Sequence, residues 1–206
     1  MKQLTSLLIA TFLSLLFAGN LSAQTLSSKD FLLVNDDVMI SVQLTPPLKR
    51  DEIYRRVHYC LHQNWLPYIG TFLKDTTSET RCKITDYLEI NNNALSVFAM
   101  YMSYDLSIFY ADSLCVINIQ NLRYMEKEYY ERKESWEENP SNRKLNMPEY
   151  TGKEILIDHV FKTLFNPKAS LKTEAATLKR FNSILARLKR YFNQVVFEEE
   201  DSALDS

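Results

Sequence analysis

Apolar and polar residues alternate from Val38 to Thr45, with Val38, Ile40, Val42 and Leu44 on one parity and Met39, Ser41, Gln43 and Thr45 on the other. This is the period-two pattern of a half-buried strand, and Pro46-Pro47 ends it. The rhythm then changes. Ile53, Val57, Cys60, Leu61 and Trp65 recur at helical spacing while Arg50, Arg55, Arg56 and Gln63 fall elsewhere, so residues 49–65 are predicted to form an amphipathic helix that Pro67 closes. Ile84, Leu88 and Ile90 share a parity with Asp86, and Phe98, Met100, Met102, Tyr104, Leu106, Ile108 and Tyr110 line one side of an extended stretch over 97–110. That stretch is one long strand or two joined by a kink. Ala111-Asp112-Ser113 reads as a turn, after which Cys115, Ile117 and Ile119 continue a strand toward Tyr124. The elements make an antiparallel meander with one face packed and the other partly wet.

Residues 126–150 carry a charge run, Glu126 to Glu138, followed by Asn139-Pro140, and are predicted to form a charged loop. Thr151 and Glu154 have the spacing of a capping box opening a helix through Phe165. A last helix starting near Ser170 carries Leu178, Phe181, Leu185, Leu188, Phe192 and Val195 at alternating steps of three and four. Its stripe is read as core rather than as a dimer seam. The fold class expected is α+β: an antiparallel sheet of about five strands, one helix after the first strand, and two C-terminal helices within 151–198. The domain core is 24–125, and the acidic tail 199–206 is expected to be disordered.

The first twenty-three residues follow a different logic. Lys2 precedes an apolar run from Leu7 to Ala18, and Gly19-Asn20-Leu21-Ser22-Ala23 supplies a small-residue cleavage zone, which together read as a secretory signal peptide cut after Ala23. The run is too short for a membrane span, which needs about 20 apolar residues. No cysteine follows it, so lipid attachment is not expected, and the mature protein is placed in the periplasm or outside the cell. Cleavage would leave 183 of the 206 residues, with 23 Lys plus Arg against 26 Asp plus Glu, a formal charge of −3.

That acidic balance argues against nucleic acid as a partner. After Ala23 the only glycines are Gly70 and Gly152. Phosphate-cradling loops cluster several glycines, so nucleotide-binding loops are excluded, as is a nucleophile elbow. Cys60, Cys82 and Cys115 allow at most one disulfide, and Cys60 and Cys115 fall where small buried hydrophobes are expected.

The helix opened by Asp51-Glu52-Ile53-Tyr54 and ending at Asn64-Trp65, then Tyr87-Leu88-Glu89-Ile90, then Tyr104-Asp105-Leu106-Ser107-Ile108 before an Asp-containing turn and Asn118-Ile119, resembles a domain of unknown function. That domain occurs in small exported proteins of Gram-negative bacteria. The resemblance covers roughly residues 36–125 and implies a fold similar to one repeat of the TATA-binding protein (TBP-like). It supplies no catalytic residues, and a fold name does not imply DNA binding.

Candidate chemistry is sparse. His58 and His62 lie four apart, a spacing that can put two imidazoles on one metal, but no H-E-x-x-H glutamate stands between them, and they are read as two surface histidines. His159 follows Asp158 without a positioned nucleophile. Asp86 on the apolar parity would have a raised pKa if buried; it is read as lying at an exposed strand end. Lys172, Lys179, Arg180, Arg187, Lys189 and Arg190 make the last helix basic on its wet side. Asp75-Thr76-Thr77, Asp112-Ser113-Leu114 and Asp201-Ser202-Ala203 resemble short O-glycosylation sites of exported bacterial proteins, with Thr76, Ser113 and Ser202 as acceptors.

No catalytic, cofactor-binding or metal-ligating residue is assigned, and no cofactor is expected. The function expected is a non-enzymatic binding or assembly module of the bacterial cell envelope, with an envelope protein or glycan as partner. The alternatives are a hydrolase using dispersed carboxylates and an oligomeric structural protein.

Overall fold

The computed structural model describes residues 25–64, 70–93, 96–131, 149–160 and 169–194. Seven strands form one antiparallel sheet: β1 (Leu32–Val34), β2 (Asp37–Leu44), β3 (Gly70–Thr76), β4 (Glu79–Asn93), β5 (Ser96–Ala111), β6 (Leu114–Glu126) and β7 (Glu149–Thr151). Their order is β1-β2-β6-β5-β4-β3, and β7 pairs with β6 beyond the end of β2. Helices α1 (Arg50–Asn64), α2 (Gly152–Leu156) and α3 (Ala169–Phe192) follow β2, β7 and the C-terminal connection.

The α+β antiparallel architecture is as expected, with seven strands rather than about five. The three strands not read from the sequence, β1, β3 and β7, lack a readable alternation. β1 and β7 have three residues each. β1 is joined to β2 by Asn35 and Asp36, both at positive φ (51° and 66°), as a two-residue hairpin turn with matching twist requires. In β3 the register against β4 shifts between Phe72 and Lys74, so Leu73 is an extra residue, 65% exposed, and the period of two is lost.

A similar bulge redirects β6. Asn121 sits at φ 57°, and Tyr104 alone spans the gap between the pairs Asp105↔Gln120 and Ser103↔Arg123. The inward residues therefore change parity, from Cys115, Ile117 and Ile119 to Leu122 and Tyr124. At this point β6 exchanges β2 for β7 as its neighbour.

α1 packs against β5 and α3, α3 runs over β4, and α2 touches β2, β6 and α3. The core lies between these helices and one sheet face. α3 supplies Phe181, Ile184, Leu185, Leu188 and Phe192 to it, all buried, each contributing roughly 1.5–3 kcal/mol by leaving water. Val195 of the expected stripe lies outside the described residues. In its first half α3 instead buries Thr173 and Thr177. Their hydroxyls donate to the carbonyls four residues back, at 2.9 Å each, so their polarity is satisfied within the helix. Tyr124 Oη meets Thr177 Oγ1 at 3.0 Å.

The capping box forms as expected: Thr151 Oγ1 accepts from Glu154 N at 3.2 Å, and Glu154 Oε2 accepts from Thr151 N at 2.8 Å. The helix it opens is shorter than expected, ending at Leu156 rather than Phe165. Ile157 N and Asp158 N both donate to Lys153 O, and His159 then takes φ 52°, which a helix cannot continue through. Gly152 is required by close approach, since a Cβ there would lie 3.0 Å from Leu122 Cβ and 3.2 Å from Val38 Cβ. In the expected charged loop, β6 runs on to Glu126 and residues 127–131 are helical.

All three cysteines are free and buried. Burial pushes the Cys60 and Cys82 thiols up to about 12, and the Cys115 thiol upward as well. They act as small hydrophobes, as read for Cys60 and Cys115. Ahead of β1, Leu26 is buried and held by Asn182 of α3, which accepts from Leu26 N at 2.7 Å and donates to Leu26 O at 3.0 Å.

The β3–β4 hairpin carries a buried acid. Burial alone would raise the Glu79 carboxyl, but hydrogen bonds from Lys74 and Arg81 hold it below its usual value of 4.5. A carboxylate with a depressed folded pKa contributes stability above its unfolded pKa and loses it as pH falls through the folded one. Urea midpoints at pH 7 and pH 4 are therefore expected to differ less in Glu79→Gln than in the parent protein.

Candidate functional site

Among the described residues α1, α2 and α3 lie on one side of the sheet, and the helical residues 127–131 lie over part of the other. The centre of that other face is polar: Ser41 Oγ donates to Asn118 Oδ1 at 2.8 Å, and Asn121 Nδ2 to Asp105 Oδ2 at 2.6 Å. Toward the β4–β5 side it is aromatic. Tyr101 stacks on Tyr130 with ring centroids 3.9 Å apart and planes 20° off parallel. Tyr87, 44% exposed, meets the edge of Tyr101 at 5.5 Å. Lys127 Nζ lies 5.6 Å from the Tyr87 ring centre, within cation–π range. Tyr101 donates toward Glu131 Oε1 at 3.4 Å, and its phenol is raised by burial first and by Glu131 second. Strand alternation alone puts Tyr87 and Tyr101 on this face. That residues 127–131 turn back over it could not be read from a charged stretch.

A second cluster lies where α1 meets β3. His58 Nε2 is 3.1 Å from His62 Nε2 and 3.0 Å from Asp75 Oδ2. Phe72 stacks against His58 at 5.6 Å and 13°, and lies 4.9 Å from His62. Behind them runs a polar chain into the core: Tyr110 donates to Thr80 Oγ1 at 2.8 Å, and Thr80 donates to Asp75 Oδ1 at 2.9 Å. Burial lowers the His62 pKa, the nearby His58 lowers it further, and Asp75 opposes both. Asp75 raises the Tyr54 phenol in addition to burial. The pair of histidines was visible as a spacing. Asp75 was not, because it sits on β3, whose bulge conceals the strand.

Comparisons with known proteins bear on the fold. No protein-family profile matches the sequence, and no curated protein does. Among solved structures, a DUF4468 family protein from Bacteroides ovatus aligns with a TM-score of 0.62 at 10% identity, over 88% of this chain and 99% of its own. A TBP-like protein from Parabacteroides distasonis aligns with a TM-score of 0.58 at 11% identity, over 78% of this chain and 96% of its own. The fold is TBP-like. This agrees with the resemblance read from the α1, β4, β5 and β6 segments, and at such low identity the two structures share the fold alone with this chain.

In the TBP-like sheet Asp86 is not at an exposed strand end. It is 3% exposed, under α3, where Arg180 donates to it through Nε (2.9 Å) and Nη2 (2.7 Å) and Tyr104 Oη donates at 2.8 Å. Arg180 accordingly leaves the wet basic face to which its spacing assigned it. Desolvation would lower its pKa, and Asp86 more than reverses this. Burial first, and Asp86 second, raise Tyr104 well above its usual value. Lys172, Lys179, Arg187 and Arg190 are exposed.

The remaining candidates are dispersed. His159 Nδ1 faces Glu174 Oε2 at 3.8 Å. Ser113 is exposed at φ 56° in the β5–β6 turn, where its N donates to Leu48 O at 2.9 Å and Asp112 Oδ1 accepts from Arg50 N at 2.9 Å at the start of α1. Thr76 is exposed, with its hydroxyl donating to Glu79 O at 3.0 Å. Ser202 lies outside the described residues, as do the expected signal peptide and acidic tail. Among the described residues no three His, Cys, Asp or Glu side chains are placed to hold one metal ion, and no helix is long and apolar enough to cross a membrane.

Proposed function

We propose that the protein is an exported, non-enzymatic binding module of the bacterial cell envelope that holds a protein partner on the sheet face opposite α1, α2 and α3. The observation that carries this is the Tyr87–Tyr101–Tyr130 cluster on the sheet face opposite α1, α2 and α3. Tyrosine concentrates at the energetic centres of protein interfaces, where an amphipathic ring buries much area at small entropic cost. The leader read at residues 1–23 supports export to the periplasm or beyond, and the acidic composition after Ala23 argues against nucleic acid.

The two alternatives lose the features they rested on. A hydrolase needed Asp86 as a titrating acid, and its carboxylate is held by Arg180 and Tyr104. An oligomeric structural role needed the α3 stripe, which is buried in the chain's own core.

The test is recovery of partners from an envelope extract by the mature protein and by Tyr87→Ala/Tyr101→Ala. A specific protein retained by the parent and bound about 30-fold more weakly by the variant is expected, the loss of roughly 2 kcal/mol typical of an interface centre. Equal recovery by both, or tyrosine-dependent capture of a glycan alone, overturns the protein-partner assignment. Intact mass of the exported protein addresses the leader separately: a chain beginning at Gln24 is expected, a full-length mass rejects cleavage, and added hexose-type mass would show glycosylation, for which Thr76, Ser113 and Ser202 are the expected acceptors.

A further inference from the structure

We infer that His58 and His62 form an open two-imidazole chelate for a divalent transition-metal ion on the outer side of α1. Residues four apart project one above the other on a helix face, but that spacing alone leaves two rings free to point anywhere. Here the same atom of each ring, Nε2, faces its counterpart at 3.1 Å. For metal–nitrogen bonds of roughly 2.0–2.1 Å, that edge subtends about 95–100° at a shared ion, which lies between square and tetrahedral geometry. Without an ion, the tautomers decide which Nε2 carries a proton, and a proton on His58 Nε2 can be given to Asp75 Oδ2; the ion takes that proton's place.

The surroundings hold the rings in this orientation and suit a cation. Phe72 stacks nearly parallel to His58 and also contacts His62, fixing the rings from the β3 side. Asp75 Oδ2, 3.0 Å from His58 Nε2, adds a negative charge beside the site, and Thr80 holds that carboxylate through its other oxygen. The charge lowers the cost of bringing a dication to two neutral imidazoles. His58 is 36% exposed at its side chain, and His62 is exposed, so solvent reaches the site and water fills the remaining positions. The absence among the described residues of a third convergent ligand makes this an exchangeable ion and not a structural one. Imidazole ligands select nickel, copper or zinc over calcium or magnesium.

The experiment uses tag-free mature protein stripped with chelator and titrated calorimetrically with nickel(II), and separately with zinc(II). Saturable binding at one ion per chain is expected, with a melting temperature that rises with metal concentration because the folded state binds the ion. His62→Ala, at an exposed position, should weaken binding by roughly ten-fold or more, while His159→Ala, which removes the chain's other histidine, should leave it unchanged. Circular dichroism of His62→Ala establishes that it folds. Affinity unaltered in folded His62→Ala, loss of binding in His159→Ala, or no saturable binding of either metal at millimolar concentration overturns the inference.

Discussion

Arg180→Met is expected to cost about 3–5 kcal/mol of folding stability, because it strands a carboxylate beneath a helix. Asp86 is 3% exposed, and with Arg180 gone the Tyr104 hydroxyl at 2.8 Å is left to hold it. The pair itself is not expected to be worth that much. Desolvating two charges consumes most of their attraction, so replacing both with apolar residues of similar size is often neutral. The double variant Asp86→Leu/Arg180→Met should therefore recover most of the loss. Urea denaturation of the two single variants and the double closes the cycle. A double variant as unstable as the sum of the singles would show no coupling between the two side chains, and one far less stable than the parent would show that the pair contributes net stability.

The second large effect is expected at Arg56, which the helical pattern placed off the apolar stripe and the structure buries. Its Nη1 donates to the carbonyls of Tyr191 (2.7 Å), Phe192 (3.3 Å) and Gln194 (2.8 Å), and its Nε to Glu52 Oε1 at 2.6 Å. A cation therefore sits at the negative end of α3, on carbonyls the helix cannot satisfy itself. Arg56→Met should cost about 3 kcal/mol, combining charged hydrogen bonds with unpaired carbonyls. Arg56→Lys should recover less than half, because an ammonium cannot span the same fork of acceptors. Thermal melts give the totals, and faster amide exchange confined to the end of α3 would locate the damage.

These two arginines show where the sequence was legible. β2, α1, β5 and the opening of β6 could be read directly because their alternation is unbroken and ends at prolines or a turn. β3 could not, because one bulged residue, Leu73, destroys its period. α3 was found from its second half, where Leu185, Leu188 and Phe192 are apolar; Thr173 and Thr177 are equally buried but satisfy their hydroxyls on their own helix, so they add nothing to the apolar stripe. Asp86 and Arg56 were misassigned for a shared reason. Each is compensated by a partner 94 or more positions away, and no local pattern reveals such a partner. The candidate sites were visible in the same partial way, with His58 and His62 apparent as a spacing and Asp75 brought to them only by the sheet.

The clamp between Leu26 and Asn182 spans 156 positions. A chain synthesised from its N-terminus cannot close that contact until α3 has emerged, and closing so long a loop is slow relative to local hairpins. Residues 25–31 are consequently among the last to be secured.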